Sequence, residues 1–170
     1  MRNLATMQIS LLAIAESVAL VGVANAAPVA LKRLLSNRCS MPVDGGLLMR
    51  DGRRLLGSSK TWRGVAIGIL APAFVSPLMN FPWQAGALVG ATAMAGDCMG
   101  SFLKRRLGFA VSSMALGLDQ IPESLLPAIS MQAYAQLSAI DIFMMVFIFF
   151  VGELALSRLF FRLGLRERPY

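Results

Sequence analysis

LSAIDIFMMVFIFFVGELAL, Leu137 to Leu156, decides the fold class. Its centre holds an unbroken apolar run with three methionine or valine positions between phenylalanines and no turn signal. About 20 such residues reach across the hydrocarbon core of a bilayer as a helix. Working outward, three further apolar stretches appear: about Met7 to Ala27, about Val65 to Leu78 extended by Asn80 to Pro82, and Trp83 to about Leu103. A fifth and weaker one, Ile121 to Gln136, contains Glu123, two prolines and two glutamines. It suits a helix packed inside a bundle better than one facing lipid.

The composition agrees. The chain has 170 residues, 56% hydrophobic and 15% charged, with a net charge of +7. Soluble domains carry about 25% charged residues. Few charges with a strong basic excess describe a membrane protein with basic loops, and argue against a soluble enzyme or a nucleic-acid-binding tail. There is no histidine, and Cys39 and Cys98 form no CxxC pair. That removes the common zinc sites and histidine-based acid–base or nucleophilic catalysis, leaving carboxylates, Lys, Arg, Ser and bound metal.

Basic residues choose between four spans and five. Residues 28–64 carry Lys32, Arg33, Arg38, Arg50, Arg53, Arg54, Lys60 and Arg63; Lys104, Arg105 and Arg106 follow the third stretch; Arg158, Arg162, Arg166 and Arg168 close the chain. With five spans all of these fall on one side, and only Arg2 on the other. The positive-inside rule then predicts an all-α, five-span protein with its N-terminus out and its C-terminus in the cytoplasm. We expect one membrane-embedded domain, 1–170, in the cytoplasmic (inner) membrane. Its cytoplasmic loops would be 28–64, with a short basic helix at Val29–Leu35, and 104–118. The first stretch also imitates a signal peptide, with Ala24-Asn25-Ala26 as cleavage site. Glu16 inside the apolar run, and the topology left by removal, argue for its retention.

Charges within spans are costly, about 2.5–3.5 kcal/mol on insertion scales, so Glu16, Asp97, Asp141 and Glu153 are functional candidates, with a buried ion pair as the plain alternative. Asp97 has the most company. At 100° per residue Asp97, Ser101 and Lys104 share one helix face within about 60°, continued by Gly90 and Ala93. Upstream, residues 43–64 hold two Asp-Gly turns and then Ser58, Ser59, Lys60, Thr61 and Arg63 before a helix, a setting for phosphate. The spacing is not that of a Walker A loop. Asp119 and Glu123 open the fourth helix. Each of these groups alone also reads as a turn or cap. Together, Asp97 and Asp119 suit Mg²⁺, and Lys60, Arg63, Lys104 and Arg105 suit phosphates. Phosphoryl or nucleotidyl transfer between a phospholipid and a soluble nucleotide needs that inventory and no histidine.

Six stretches carry a family resemblance: ANAAPVALK (24–32), PVDGG (42–46), DGRRLLGSSKTWRG (51–64), GDCMGSFLKRRLG (96–108), GLDQ (117–120) and LGLRERPY (163–170). In that order they resemble the CDP-archaeol synthase family. The GDxxxSxxKR pattern is also similar to phosphatidate cytidylyltransferases, whose histidine-containing motif is missing here. The resemblance implies transfer of CMP from CTP to a glycerol-lipid phosphate, ether or ester, with Mg²⁺. It implies Lys60, Arg63, Asp97, Lys104 and Asp119 as catalytic residues. Asn25, Asp44, Ser59, Thr61, Ser101, Arg105 and Gln120 would bind substrates, and Asp97, Asp119 and Glu123 the metal. The family pattern has a second Asp where Pro122 stands here, with Glu123 next. No nucleic acid is expected, and a homo-oligomer stays open. The competing readings are a small carrier using Glu16, Asp97 and Glu153 as an ion path, and an inactive homologue binding anionic lipid through its basic loop.

Overall fold

The computed structural model describes residues 11–36, 38–111 and 113–162. Arg2, Arg166, Arg168 and the closing LGLRERPY stretch lie outside them. The described chain is all-helical and holds no strand. Its elements are α1 (Leu11–Leu35), α2 (Trp62–Val75) with a 3-10 turn at Ser76–Met79, α3 (Trp83–Arg106), α4 (Gln120–Ala135) and α5 (Ala139–Arg162). The five sequence stretches therefore become five helices. Three of them, α1, α2 with its 3-10 turn, and α5, are long and apolar enough to cross a membrane by length and composition. The chain is a multi-pass membrane protein.

α3 and α4 fall short for different reasons. α3 is long, about 36 Å at 1.5 Å per residue, but Gly, Thr, Asp97 and three terminal basic residues dilute it. α4 rises about 24 Å and carries the polar residues of its first turns inward, with Gln120, Glu123 and Ser124 buried. Their polar residues turn toward neighbouring helices, while apolar ones such as Trp83, Leu88, Ile121 and Ile129 are exposed, so the polar groups need not face lipid.

α1 differs from the sequence reading. One helix continues through Pro28 to Leu35 instead of ending at Ala27 before a separate basic helix. A proline inside a helix removes one backbone donor; in membrane helices neighbouring elements compensate. α2 and α4 likewise contain Pro72 and Pro127.

Glycines let α3 approach α2 and the start of α4 closely. A Cβ at Gly86 would stand 2.1 Å from the Pro72 carbonyl oxygen, and one at Gly90 would stand 2.4 Å from that of Gly68, both on α2. Gly96 does the same toward the Pro122 oxygen, at 2.2 Å, and Gly100 toward the Leu118 oxygen, at 2.6 Å. Close backbone approach of this kind holds membrane helices together where the hydrophobic effect between them is weak. Thr92 and Ser130 add a hydroxyl–hydroxyl hydrogen bond of 3.3 Å between α3 and α4. α1 touches all four other helices.

The two connections 36–61 and 107–119 meet at one end of the bundle. An apolar cluster fills the other end, with Ile14, Leu20, Val89, Met131, Leu137 and Met145. The described Lys and Arg residues all lie toward the loop end.

Candidate functional site

The loop 36–61 is built around one carboxylate. Asp44 Oδ1 accepts hydrogen bonds from the Gly46 N–H (3.0 Å) and the Arg54 guanidinium (2.5 Å). Its Oδ2 accepts from the Leu56 (3.1 Å) and Gly57 (2.9 Å) N–H groups. Burial alone would raise its pKa. The Gly57 N–H, Arg54, and the Gly46 and Leu56 N–H groups outweigh that and hold the carboxyl well below the usual carboxylate range. A short hairpin, with Leu48 and Arg54 bridged, turns at Gly52. The loop then returns beside its own start: the Val43 N–H donates to the Lys60 carbonyl (2.8 Å) and the Trp62 N–H to the Met41 carbonyl (3.1 Å). Lys60 thus stands at a fixed place one residue before the N-cap Thr61 of α2, whose hydroxyl accepts from the Gly64 N–H.

Two arginines tie this loop to the end of α3. Arg53 donates to the carbonyls of Arg105 (3.3 Å), which also accepts from the Gly108 N–H, and Arg106 (3.0 Å), both in the last turn of α3. In return Arg106 donates to the Asp51 carboxylate (2.8 Å) and to the carbonyls of Arg53 and Arg54. Gly108, at φ +83°, leaves room for the Arg53 guanidinium, which a Cβ would meet at 3.1 Å.

Between α1, the loop, α2 and α3 lies a cavity of about 330 Å³, within the range of small-ligand sites. Lys60 and Asp97 form an ion pair in its wall. Burial would lower the Lys60 pKa, but the Asp97 charge and hydrogen bond, with Glu123 behind, raise it, so the ammonium persists. Glu123, from α4, stands close enough to Asp97 for the two carboxyl groups to interact.

The structure sorts the residues expected from sequence into three groups. Lys60, Asp97, Ser59, Thr61 and Arg63 line the cavity, with Glu123 directly behind Asp97. Arg63 is already engaged, donating to the carbonyls of Arg38 and, at 2.5 Å, Ser36, and so capping the end of α1. A second group holds the 107–119 connection. Lys104 pairs with Asp119 at 2.6 Å and donates to the Ser113 carbonyl. Asp119 also accepts from the Ala115 N–H, Arg105 donates to the Ala110 carbonyl, and the Gln120 side chain accepts from the Gly117 N–H. Third, Asp44, Ser101 and Asn25 stand outside the cavity lining. Asp44 is consumed by its four donors, Ser101 is buried on α3, and the Asn25 side-chain nitrogen is buried and makes no hydrogen bond.

Among the described residues, no three His, Cys, Asp or Glu gather closely enough to hold a metal by themselves. Two facing carboxyls share either a proton or a cation, and Mg²⁺ is commonly held by one or two carboxylates with substrate phosphates. Asp97 and Glu123 fit that donor set. Ser58, named in the phosphate setting read from the sequence, also lines the cavity; the sequence reading missed Lys32, Ser40, Met94 and Cys98, all in the cavity wall. Lys32 and Cys98 lay in the motif stretches, but nothing in their spacing singled them out.

Known proteins resemble this chain in sequence and fold. The model of the CarS-like CDP-archaeol synthase family matches residues 34–170. A CDP-archaeol synthase of Methanopyrus kandleri is 45% identical over 86 residues, 47% of this chain and 50% of that protein. One from Hyperthermus butylicus is 40% identical over 127 residues, covering 71% of this chain and 70% of the relative. One from Thermofilum pendens is 32% identical over 154 residues, 87% of this chain and 76% of its own. The matched stretch thus spans half the length of the Methanopyrus relative and more of the other two. A solved structure, described as an intramembrane enzyme for archaeal membrane lipids biosynthesis, superposes with a TM-score of 0.66 at 30% identity. It covers 84% of this chain and 90% of its own. With its described motifs toward the loop end of a similar helical frame, the chain belongs to the CDP-archaeol synthase family.

Proposed function

We propose that this protein transfers CMP from CTP to a glycerol-lipid phosphate in the cytoplasmic membrane, with the loop end of the bundle facing the cytoplasm. The observation that carries the reading is the Lys60–Asp97 pair in the wall of a cavity at the loop end, with Glu123 behind it. All five helices belong to one membrane-embedded domain, with α3 and α4 crossing beside α1, α2 and α5, their polar residues turned inward and apolar ones outward.

The lipid phosphate is already anionic, so no strong base is required. One of its oxygens forms a bond to the α-phosphorus of CTP, and the bond from that phosphorus to the pyrophosphate oxygen breaks. Products are the CDP-lipid and pyrophosphate. Asp97 and Glu123 would hold Mg²⁺, which when bound neutralises triphosphate charge. Lys60 leaves Asp97 for a phosphate oxygen as substrate enters, exchanging one anionic partner for another. Ser58, Ser59 and Thr61 supply hydroxyls beside it. Lys104, Asp119, Arg105 and Gln120 fix the 107–119 connection against α3, and so fix the α4 turn that presents Glu123. Rate enhancement here is mostly positioning and charge neutralisation.

The carrier alternative calls for acids spread along a path through the bundle. Asp97, Glu123 and Lys60 instead gather at the loop end, with Glu153 near enough to act on Glu123 electrostatically. The test is transfer of label from [α-³²P]CTP into chloroform-soluble product by purified protein with Mg²⁺ and, separately, diacyl or dialkyl glycerol phosphate. Label that needs the lipid phosphate is expected, and its dependence on the tails names the substrate. Folded protein that labels neither lipid would overturn the reading.

A further inference from the structure

Three cations line the cavity: Lys32 from α1, Lys60 from the loop and Arg63 from α2. Two are committed to protein partners. Lys60 is held by Asp97, and Arg63 gives both terminal nitrogens to the carbonyls of Ser36 and Arg38. The Lys32 side chain is exposed and has no hydrogen-bond or ion-pair partner among the described residues. It is therefore the cavity cation, among the described residues, that meets an incoming anion without first giving up a bond.

Its position says which anion. Lys32 stands about 32 Å along α1 from Leu11 at 1.5 Å per residue, and the hydrocarbon core is about 30 Å thick. That places the ammonium at headgroup depth, where lysine reaches toward phosphate on a flexible apolar stem. Pro28, one turn earlier on the same helix, also lines the cavity. Val29, three residues before Lys32 and so on its face, is 51% exposed. An exposed apolar side chain thus stands one turn below this lysine on the same helix face. Asp97 and Lys60 stand on the α3 side. A ligand with apolar tails and a phosphate head can lie along α1 with its head at Lys32, whereas a water-soluble nucleotide has nothing to gain from that apolar flank.

We propose that Lys32 receives the phosphate of the lipid substrate and sets the affinity for it, leaving the triphosphate to Lys60 and the Asp97–Glu123 pair. The proposal rests on the cytidylyl-transfer reading above. Two readouts test it in the full-length protein with Cys39→Ser. One is the rate at which a small methanethiosulfonate modifies Cys98 in the cavity wall, measured with short-chain glycerol-lipid phosphate alone or with CTP and Mg²⁺. The other is turnover with both substrates varied.

Lys32→Ala is expected to raise the half-protective lipid-phosphate concentration, and the KM for that lipid, about tenfold or more, as expected on losing a charged contact. CTP protection and the KM for CTP should stay within about twofold, and Lys32→Arg should recover most of the lipid affinity. Equal lipid protection and equal lipid KM in Lys32→Ala and the parent would overturn the assignment while leaving the activity standing. So would a loss confined to CTP. A parent protein that neither ligand protects and that makes no CDP-lipid would overturn the activity and this assignment with it.

Discussion

Lys60 and Asp97, 37 residues apart in the chain, are joined as an ion pair whose two side chains are 19% and 24% exposed. The lysine comes from a loop braced by its own hydrogen bonds, and the aspartate from a helix fixed by glycine contacts. Neither element depends on the pair to hold its place, so the charges are set for a substrate as much as for each other.

Asp97→Asn removes the charge and keeps the shape. CDP-lipid formation is expected to fall by about 10³-fold, the scale of losing one electrostatic stabiliser of a transition state. Thermal stability in detergent should change little, because Glu123 stays covered and Lys60 is still partly hydrated. A loss below tenfold, measured with labelled CTP, would remove Asp97 from the chemistry.

Asp44→Asn attacks the loop. With four donors satisfied by one carboxylate, the substitution leaves Arg54 and backbone N–H groups underused and is expected to cost about 2–3 kcal/mol. The sign with pH follows from a folded pKa held below its unfolded value. The stabilisation is fully present above about pH 4 and fades as the pH falls toward the folded value. Melting curves at pH 7 and pH 3.5 should show parent and variant far apart in the first and closer together in the second. Equal separation at both would refute the charged-carboxylate account.

Gly96→Ala and Gly86→Ala should each destabilise the fold by about 2–4 kcal/mol, since the new methyl meets a backbone carbonyl that cannot swing away. Gly22→Ala and Gly152→Ala point into open space and should be neutral or slightly stabilising. Unfolding midpoints in one detergent distinguish these, and a neutral Gly96→Ala would mean that α3 and α4 pack less closely than described.

Arg53→Ala opens one side of the mutual hold between the loop and α3. Limited trypsin digestion should then cut at Arg50 or Arg54 several times faster than in the parent, with kcat reduced and the melting midpoint nearly unchanged. Unaltered digestion would mean that Asp44 alone keeps the loop in place.

Sidedness is read with an impermeant maleimide on intact cells. Cys39, exposed on the 36–61 loop, should stay unlabelled from outside, while Asn80→Cys in a Cys39→Ser background should label. The reverse result would turn the protein over in the membrane and with it the nucleotide supply.

Much of this architecture was legible beforehand, because apolar length and basic placement act locally along the chain. The run Leu137–Leu156 and the bare hairpin after α2 needed no tertiary information. The face shared by Asp97, Ser101 and Lys104 was also computable from helical period. What the period does not contain is who stands opposite. It could not show that Lys60 would reach Asp97, that Lys104 would belong to Asp119, or that Asp44 would serve the loop's own N–H groups. Nor could it foretell α1 continuing through Pro28, where neighbours decide. Lys32 stayed hidden for the same reason: before folding it is one of eight basic residues in its segment, and afterwards it is the cavity lysine that no other described residue holds.

The mutual grip of Arg53 and Arg106 also fixes a history. A chain emerges from the ribosome N-terminus first, so the 36–61 loop is made while the end of α3 is still inside the synthetic machinery. Arg53 has no helix end to hold, and Arg106 no loop carbonyls, until Arg105 and Arg106 have cleared the membrane surface. Glu123 arrives later still. The loop therefore exists without its anchor on α3 for part of synthesis, and the cavity wall with Glu123 behind it is the last part of the bundle to be completed.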